Sequence, residues 1–146
     1  MRTGRATLLL AAVIVLPGLP LTAADSSFVL IANAANPASE LSADTVARFY
    51  LKKSRKWSDG RSVTPVDQSA TAPVRTSFTR EMLGRTMGEM RDYWLKQTLS
   101  GSDVPPLTRG TDADVIQFVA QEPGALAYVT AGATLPTDVK VMKVSR

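Results

Sequence analysis

Asp67, Ser69 and Thr71 stand at alternate positions in the stretch Val66-Asp-Gln-Ser-Ala-Thr71, and Arg75 follows one helical turn later. A carboxylate, two hydroxyls, a small residue at Ala70 and a guanidinium form a set suited to holding an anion. Amides at a helix start and the positive end of its dipole favour negative charge, and small residues let a ligand approach the backbone. The same residues have a second reading. Ser69 and Thr71 could cap the helix that follows, a role worth about 1 kcal/mol, and Arg75 would then be a solvated helix residue. Asn33 and Ser39 are two further candidates at the end of the first apolar run, because α/β sheets tend to place ligands beyond strand ends. Turn hydrogen bonding is their alternative.

The 146-residue chain has no histidine and no cysteine. A Ser-His-Asp triad, a cysteine nucleophile and a His or thiolate metal site are therefore excluded. The acids are scattered singly along capped helices, which leaves a carboxylate-pair hydrolase without a visible pair. The reading is of a protein that is not an enzyme and needs neither cofactor nor metal. Lys52 to Lys56 is a five-residue basic run beside a turn. It reads as a solvated helix end, with cations at the negative end of the dipole, and no nucleic-acid partner is expected. Trp57, Trp94 and Tyr128 read as packing residues.

The elements that must position these groups begin after a leader. Met1 to Arg5 is basic, Ala6 to Leu16 is apolar and uncharged, and Pro17, Gly18 and Pro20 break any helix. Thr22-Ala-Ala24 supplies small residues for a peptidase. This is the layout of a secretory signal, too short for a membrane span of about 20 residues. Residues 1–24 are thus expected to be a signal peptide cleaved near Ala24, and residues 25–146 one periplasmic domain. Removing Arg2 and Arg5 takes the net charge from +4 to +2, a small excess that says little about partners.

Ser26 to Asn33 reads as a first, buried strand. Ser42 should cap a helix from Ala43 to about Lys52. Val63 to Val66 is a second short strand, with Pro65 marking an edge or a strand end. Pro73 opens a helix ended by Gly84. Thr86 and Glu89 form a capping box for a helix to about Leu99. Ser100 to Gly110 reads as loop. Thr111 caps a fourth helix, Ala125 to Val129 is a third strand, and Val139 to Val144 an alternating fourth. The fold class is α/β, a small mixed sheet with helices packed on it, in the order β-α-β-α-α-α-β-β.

Several stretches are familiar in series: Asn33-Ala-Ala-Asn-Pro37, Leu41-Ser42, the helix ending Arg-Phe-Tyr-Leu-Lys-Lys, Trp57-Ser-Asp-Gly60, Pro65-Val-Asp67, Arg75 to Phe78 and Gly84, Tyr93-Trp94, and Pro123-Gly-Ala-Leu-Ala-Tyr-Val129. The ordered set resembles small exported proteins related to the phosphate-binding subunit of bacterial ABC phosphate importers, in the type II periplasmic binding protein superfamily. The resemblance implies a single lobe of a two-lobed clamshell. It also implies a solute-binding-type domain for phosphate or a similar small oxyanion, serving an ABC importer or a membrane sensor. In those relatives the loop resembles Arg-Ser-Asp-Gly-Ser-Gly-Thr. Asp67, Ser69 and Thr71 match its Asp, Ser and Thr. Pro65 stands at its arginine, and Gln68 and Ala70 replace its glycines, which limits backbone approach and removes a bidentate anion contact that Arg75 could restore by reaching back. The alternative is a ligand-free accessory module that forms a homodimer or docks on a membrane partner.

Overall fold

The computed structural model describes residues 27–146; the expected signal peptide lies outside them. Two strands dominate. β1 (Phe28–Asn33) and β5 (Ala125–Thr130) are apolar on both faces and pair antiparallel, Phe28 opposite Thr130. β3 (Thr64–Gln68) runs parallel to β5 on its other side. Two three-residue strands, β4 (Leu107–Arg109) and β6 (Val139–Val141), close the edges and give a mixed sheet ordered β4-β3-β5-β1-β6.

Because side chains alternate across a strand, each of these strands feeds two cores. Phe28, Leu30, Ala32, Leu126 and Tyr128 face α1 (Ala43–Tyr50) and α2 (Pro73–Leu83), meeting Val46, Phe49, Tyr50, Val74 and Phe78. Ile31, Ala125, Ala127 and Val129 face α4 (Asp112–Gln121), meeting Val115 and Val119. Each fully buried large side chain is worth about 1.5–3 kcal/mol, so the sheet is held from both sides. α3 (Met87–Leu99) sits outside α2 and buries Met90 and Trp94 against Leu51.

The caps follow the sequence. Ser42 Oγ accepts from Thr45 N at 3.1 Å. Thr86 and Glu89 form the reciprocal capping box, and Thr111 forms another with Asp114. Gly84 ends α2 at φ 62°, the left-handed geometry that favours glycine.

The element order differs from the expected one by three short strands. β2 (Glu40–Ser42) precedes α1, β4 lies in the stretch expected as loop, and the last strand divides into β6 and β7 (Lys143–Ser145). The division falls at Met142. Its amide still donates to Leu30 O at 2.8 Å, while its side chain turns into the first core and β7 leaves to pair in parallel with β2. Three-residue strands carry too little periodicity to register in sequence. α1 ends at Tyr50, earlier than expected, because Lys52 takes φ 55° and turns back. Lys52 and Arg55 then share the Asp103 carboxylate, at 3.6 and 2.5 Å. Pro65 lies at a strand end as read: β4 pairs only with Val66 to Gln68, so its missing N–H breaks no ladder there.

Candidate functional site

β3 ends at Gln68 in the sheet interior, and the chain turns over Ser69 to Ala72 before α2 begins. Ala72 N donates to Ser69 O at 2.9 Å to close the turn. The N-cap of α2 is Ala72, with no side-chain capping bond, and Pro73 pre-sets the first helical φ. Ser69 and Thr71 therefore do not cap the helix. Their hydroxyls bond each other at 3.1 Å, and Ala70 and Thr71 are exposed. The corner is thus a solvent-facing run of small residues at the positive end of an eleven-residue helix.

Behind it lies a buried polar cluster. Asp67 points to the α1/α2 side, 7% exposed, and its Oδ2 lies 2.9 Å from Arg75 Nη2. Tyr128 Oη donates to Asp67 Oδ1, and Gln68 N donates to the same oxygen at 3.1 Å. Arg75 Nη1 donates to Gln68 O at 2.6 Å. Arg75 does reach back from the helix, but toward Asp67 rather than toward Ser69 and Thr71. Burial pushes the Asp67 carboxyl above its ordinary value, against the downward pull of Arg75, Tyr128 and the Gln68 amide. Burial likewise raises the Tyr128 hydroxyl, and the neighbouring Asp67 charge raises it further. The tyrosine therefore serves as a hydrogen-bond donor.

Tyr50 and Phe78 complete the floor. Tyr50 Oη donates to Val66 O at 2.9 Å and Leu126 O at 3.2 Å, tying β3 to β5 through α1. The Phe78 and Tyr128 rings stack at 3.9 Å. On the α4 side, Gln68 Nε2 donates to Asp112 Oδ1 at 2.7 Å, and Thr130 N donates to the same atom at 3.2 Å. Desolvation works to raise the Asp112 carboxyl, but these hydrogen bonds hold it below its ordinary value.

Asn33 and Ser39 are elsewhere. β1 runs antiparallel to β5, and β5 parallel to β3, so the end of β1 lies at the start of β3. Five strand residues at about 3.3 Å each put roughly 17 Å between Asn33 and the corner. There the Asn33 amide donates to Val119 O at 2.8 Å and Ala120 O at 3.0 Å, while Asn33 Oδ1 accepts from Ala35 N at 2.9 Å. Ser39 is exposed, and its carbonyl accepts from Lys143 N at 3.0 Å. Asp67, Ser69, Ala70, Thr71 and Arg75 are brought together; Asn33 and Ser39 are not among them. Sequence reasoning missed Tyr128, Tyr50, Gln68 and Asp112 as members. A polar tip on an otherwise apolar run, as at Tyr128, is the signal that marks such a partner-seeking residue.

A mixed sheet covered by helices on both faces, with an open strand-to-helix corner at one end, is the fold that this chain shares with several solved structures. Solved structures with this fold carry phosphate-transport names. An ABC-type phosphate transport receptor from Vibrio cholerae has 16% identity and a TM-score of 0.62, over 81% of this chain and 46% of that one. A putative phosphate ABC transporter substrate-binding protein from Clostridium perfringens, with bound phosphate, has 17% identity and a TM-score of 0.64, over 81% and 44%. PstS from Borrelia burgdorferi has 9% identity and a TM-score of 0.64, over 82% and 47%. These are proteins of the kind that the ordered motifs resemble, and at such identities the likeness is one of fold. The chain spans less than half the length of each. No protein-family model matches the chain, nor does any curated protein. Among the described residues, no helix is long and apolar enough to cross a membrane.

Proposed function

We propose that residues 25–146 act in the periplasm as a solute-binding-type domain that holds a small oxyanion such as phosphate at the β3–α2 corner, without chemistry, on behalf of an ABC importer or a membrane sensor. The observation that carries this reading is the corner itself, where Ser69, Ala70 and Thr71 present small residues and hydroxyls to solvent at the positive end of α2. Amides and hydroxyls hold the oxyanion, and Arg75 supports it from behind with a charge that Asp67 largely offsets. One lobe covers one side of the ligand, so this domain by itself binds weakly. A facing surface on a partner supplies the rest. Titration of ¹⁵N-labelled protein with inorganic phosphate and with sulfate tests this. Saturable amide shifts confined to residues 69–72 are expected, and unmoved amides at about 10 mM phosphate overturn the reading.

A second reading, a ligand-free accessory module that dimerises or docks on a membrane partner, is favoured by one observation. Leu95 and Leu99 of α3 and Val104 beyond it are 57%, 79% and 58% exposed. Light scattering that finds a strict monomer, together with phosphate binding at the corner, decides against it.

A further inference from the structure

A cavity of about 340 Å³ opens on the other side of β3's end, beside the turn that Ala72 and Pro73 carry into α2. Its polar wall is made by Ser27, Gln68, Ser77, Asp112 and Thr130, and neither lysine nor arginine lines it. The one charge on that wall is the Asp112 carboxylate. Gln68 Nε2 and Thr130 N both donate to its Oδ1, at 2.7 and 3.2 Å. Desolvation works to raise this carboxyl, but the hydrogen bonds from Gln68 and Thr130 hold it below its ordinary value, so it is ionised at neutral pH. The helix cap does not explain the residue, because Thr111 and Asp114 form the capping box of α4 by themselves.

The second observation is an acceptor left over. Gln68 is 2% exposed, and its Nε2 donates to two oxygens, Asp112 Oδ1 and Tyr128 O, which fixes the orientation of the amide. Among the described residues nothing donates to its Oε1, yet the sealed side-chain atoms without a partner are Asn36 Nδ2, Arg75 Nε and Trp94 Nε1. The Gln68 oxygen is not one of them, so it keeps accessible surface, and the cavity is the open space that Gln68 borders. Oε1 and Nε2 share a carbon, which puts Oε1 within about 5 Å of the Asp112 carboxylate. One nitrogen with two hydrogen bonds of about 2.9 Å can bridge them. A mid-helix serine can return its hydroxyl to the carbonyl four residues back. Ser77 of α2 makes no such bond and lines the cavity, a third acceptor without a partner among the described residues.

We propose that this cavity binds the primary ammonium group of a small organic solute. An ammonium has three N–H donors and no acceptor, which matches a wall of acceptors around one negative charge. One N–H goes to Asp112, a second to Gln68 Oε1, and the Ser77 hydroxyl is offered to the third; bonds of this charge-assisted kind are the strong ones. A divalent metal fits less well, because it calls for several oxygen ligands, and no group of three or more acidic side chains able to hold one exists among the described residues. The volume lies at the lower end of the range for small-molecule sites, about 300–1,000 Å³, with room for a short carbon chain. The cavity adjoins the corner through Ala72 and Pro73, but its occupancy does not depend on the corner's holding phosphate.

The test titrates ¹⁵N-labelled protein with ethylammonium chloride. Tetramethylammonium chloride at equal ionic strength is the control, a cation with no N–H to donate. The Gln68 side-chain amide and the Thr130 backbone amide are the reporters, because both donate to Asp112. The expected result is a saturable shift of both with ethylammonium and of neither with tetramethylammonium. Asp112→Asn, which removes the charge and leaves the Thr111–Asp114 box in place, should weaken binding about tenfold. Ser77→Ala should weaken it severalfold and carries the test by itself if Asp112→Asn does not fold. Unmoved reporters, an equal response to tetramethylammonium, or unchanged affinity in Ser77→Ala each overturns the proposal. Phosphate shifts at residues 69–72, with reporters that stay still under ethylammonium, overturn it while supporting the corner; the reverse pattern supports it and removes the corner.

Discussion

Replacing Arg75 by methionine isolates what holds the corner's inner wall. The side chain is 16% exposed, and it gives Nη2 to Asp67 at 2.9 Å and Nη1 to Gln68 O at 2.6 Å. Methionine keeps most of the apolar stem and removes both bonds. Stripping one partner from a buried ion pair costs about 3–5 kcal/mol, because the other charge is left uncompensated. Two features of this site lower that figure. Tyr128 Oη and Gln68 N still donate to Asp67, and burial has already raised its pKa, so the acid can take up a proton instead of remaining a lone charge. The cost therefore falls near the lower end, about 3 kcal/mol at neutral pH, or roughly 12 °C in Tm for a domain of this size. Urea unfolding followed by circular dichroism measures it. In Asp67→Asn/Arg75→Met the two losses should sum to less than the separate effects, with a coupling of about 1–2 kcal/mol. An Arg75→Met protein within about 0.5 kcal/mol of the parent, or strictly additive losses, would show that the guanidinium is not a structural partner of Asp67 and is available to a ligand.

Other perturbations give distinct expectations. Because the folded state raises the Asp67 pKa, it holds that proton more tightly than the unfolded chain does. The contribution is full below the unfolded pKa and is lost as pH rises through the folded value. The stability advantage of the parent over Asp67→Asn should accordingly shrink as pH rises above about 4, and a gap that widens refutes the sign. Gly124→Ala would place a Cβ 2.4 Å from Ser62 O, a backbone clash expected to cost at least about 1–3 kcal/mol in thermal melts. Thr86→Ala removes the hydroxyl from the α3 capping box and should cost about 1 kcal/mol, read by urea titration, with little change in m-value. Tyr50→Phe deletes a buried donor shared by Val66 O and Leu126 O; about 1–2 kcal/mol is expected, with faster hydrogen exchange at the β3–β5 junction.

The parts of the fold that could be read in advance are those whose signal is local. β1 and β5 announce themselves as apolar runs, and Ser42, Thr86 and Thr111 cap because hydroxyl and helix start lie within three residues. β2, β4 and β7 were hidden because each has three residues at a sheet's margin, where pairing rather than periodicity makes the strand. The candidate site divides along the same line. Asp67, Ser69, Ala70, Thr71 and Arg75 are near in sequence and near in space. Tyr128 is 61 residues from Asp67, a pairing that only the sheet creates. Asn33 was placed with them on the assumption that all strand ends point one way; the antiparallel entry of β1 reverses it. The Ser69 and Thr71 capping alternative failed for a subtler reason, since the turn closed by Ala72 N and Ser69 O passes the cap to a residue with no polar side chain.

The seating of β1 between β5 and β6 has a consequence for how the molecule comes into being. Both of its neighbours, β5 and β6, come far later in the sequence, beyond α4, so it has no zipper to join until they have been made. Assembly is then a late, all-at-once event dominated by distant contacts, and in the interval Phe28 to Asn33 is adhesive. A chain wired this way leaves those residues unpaired until the distant strands arrive, which makes a chaperone grip on them worth looking for.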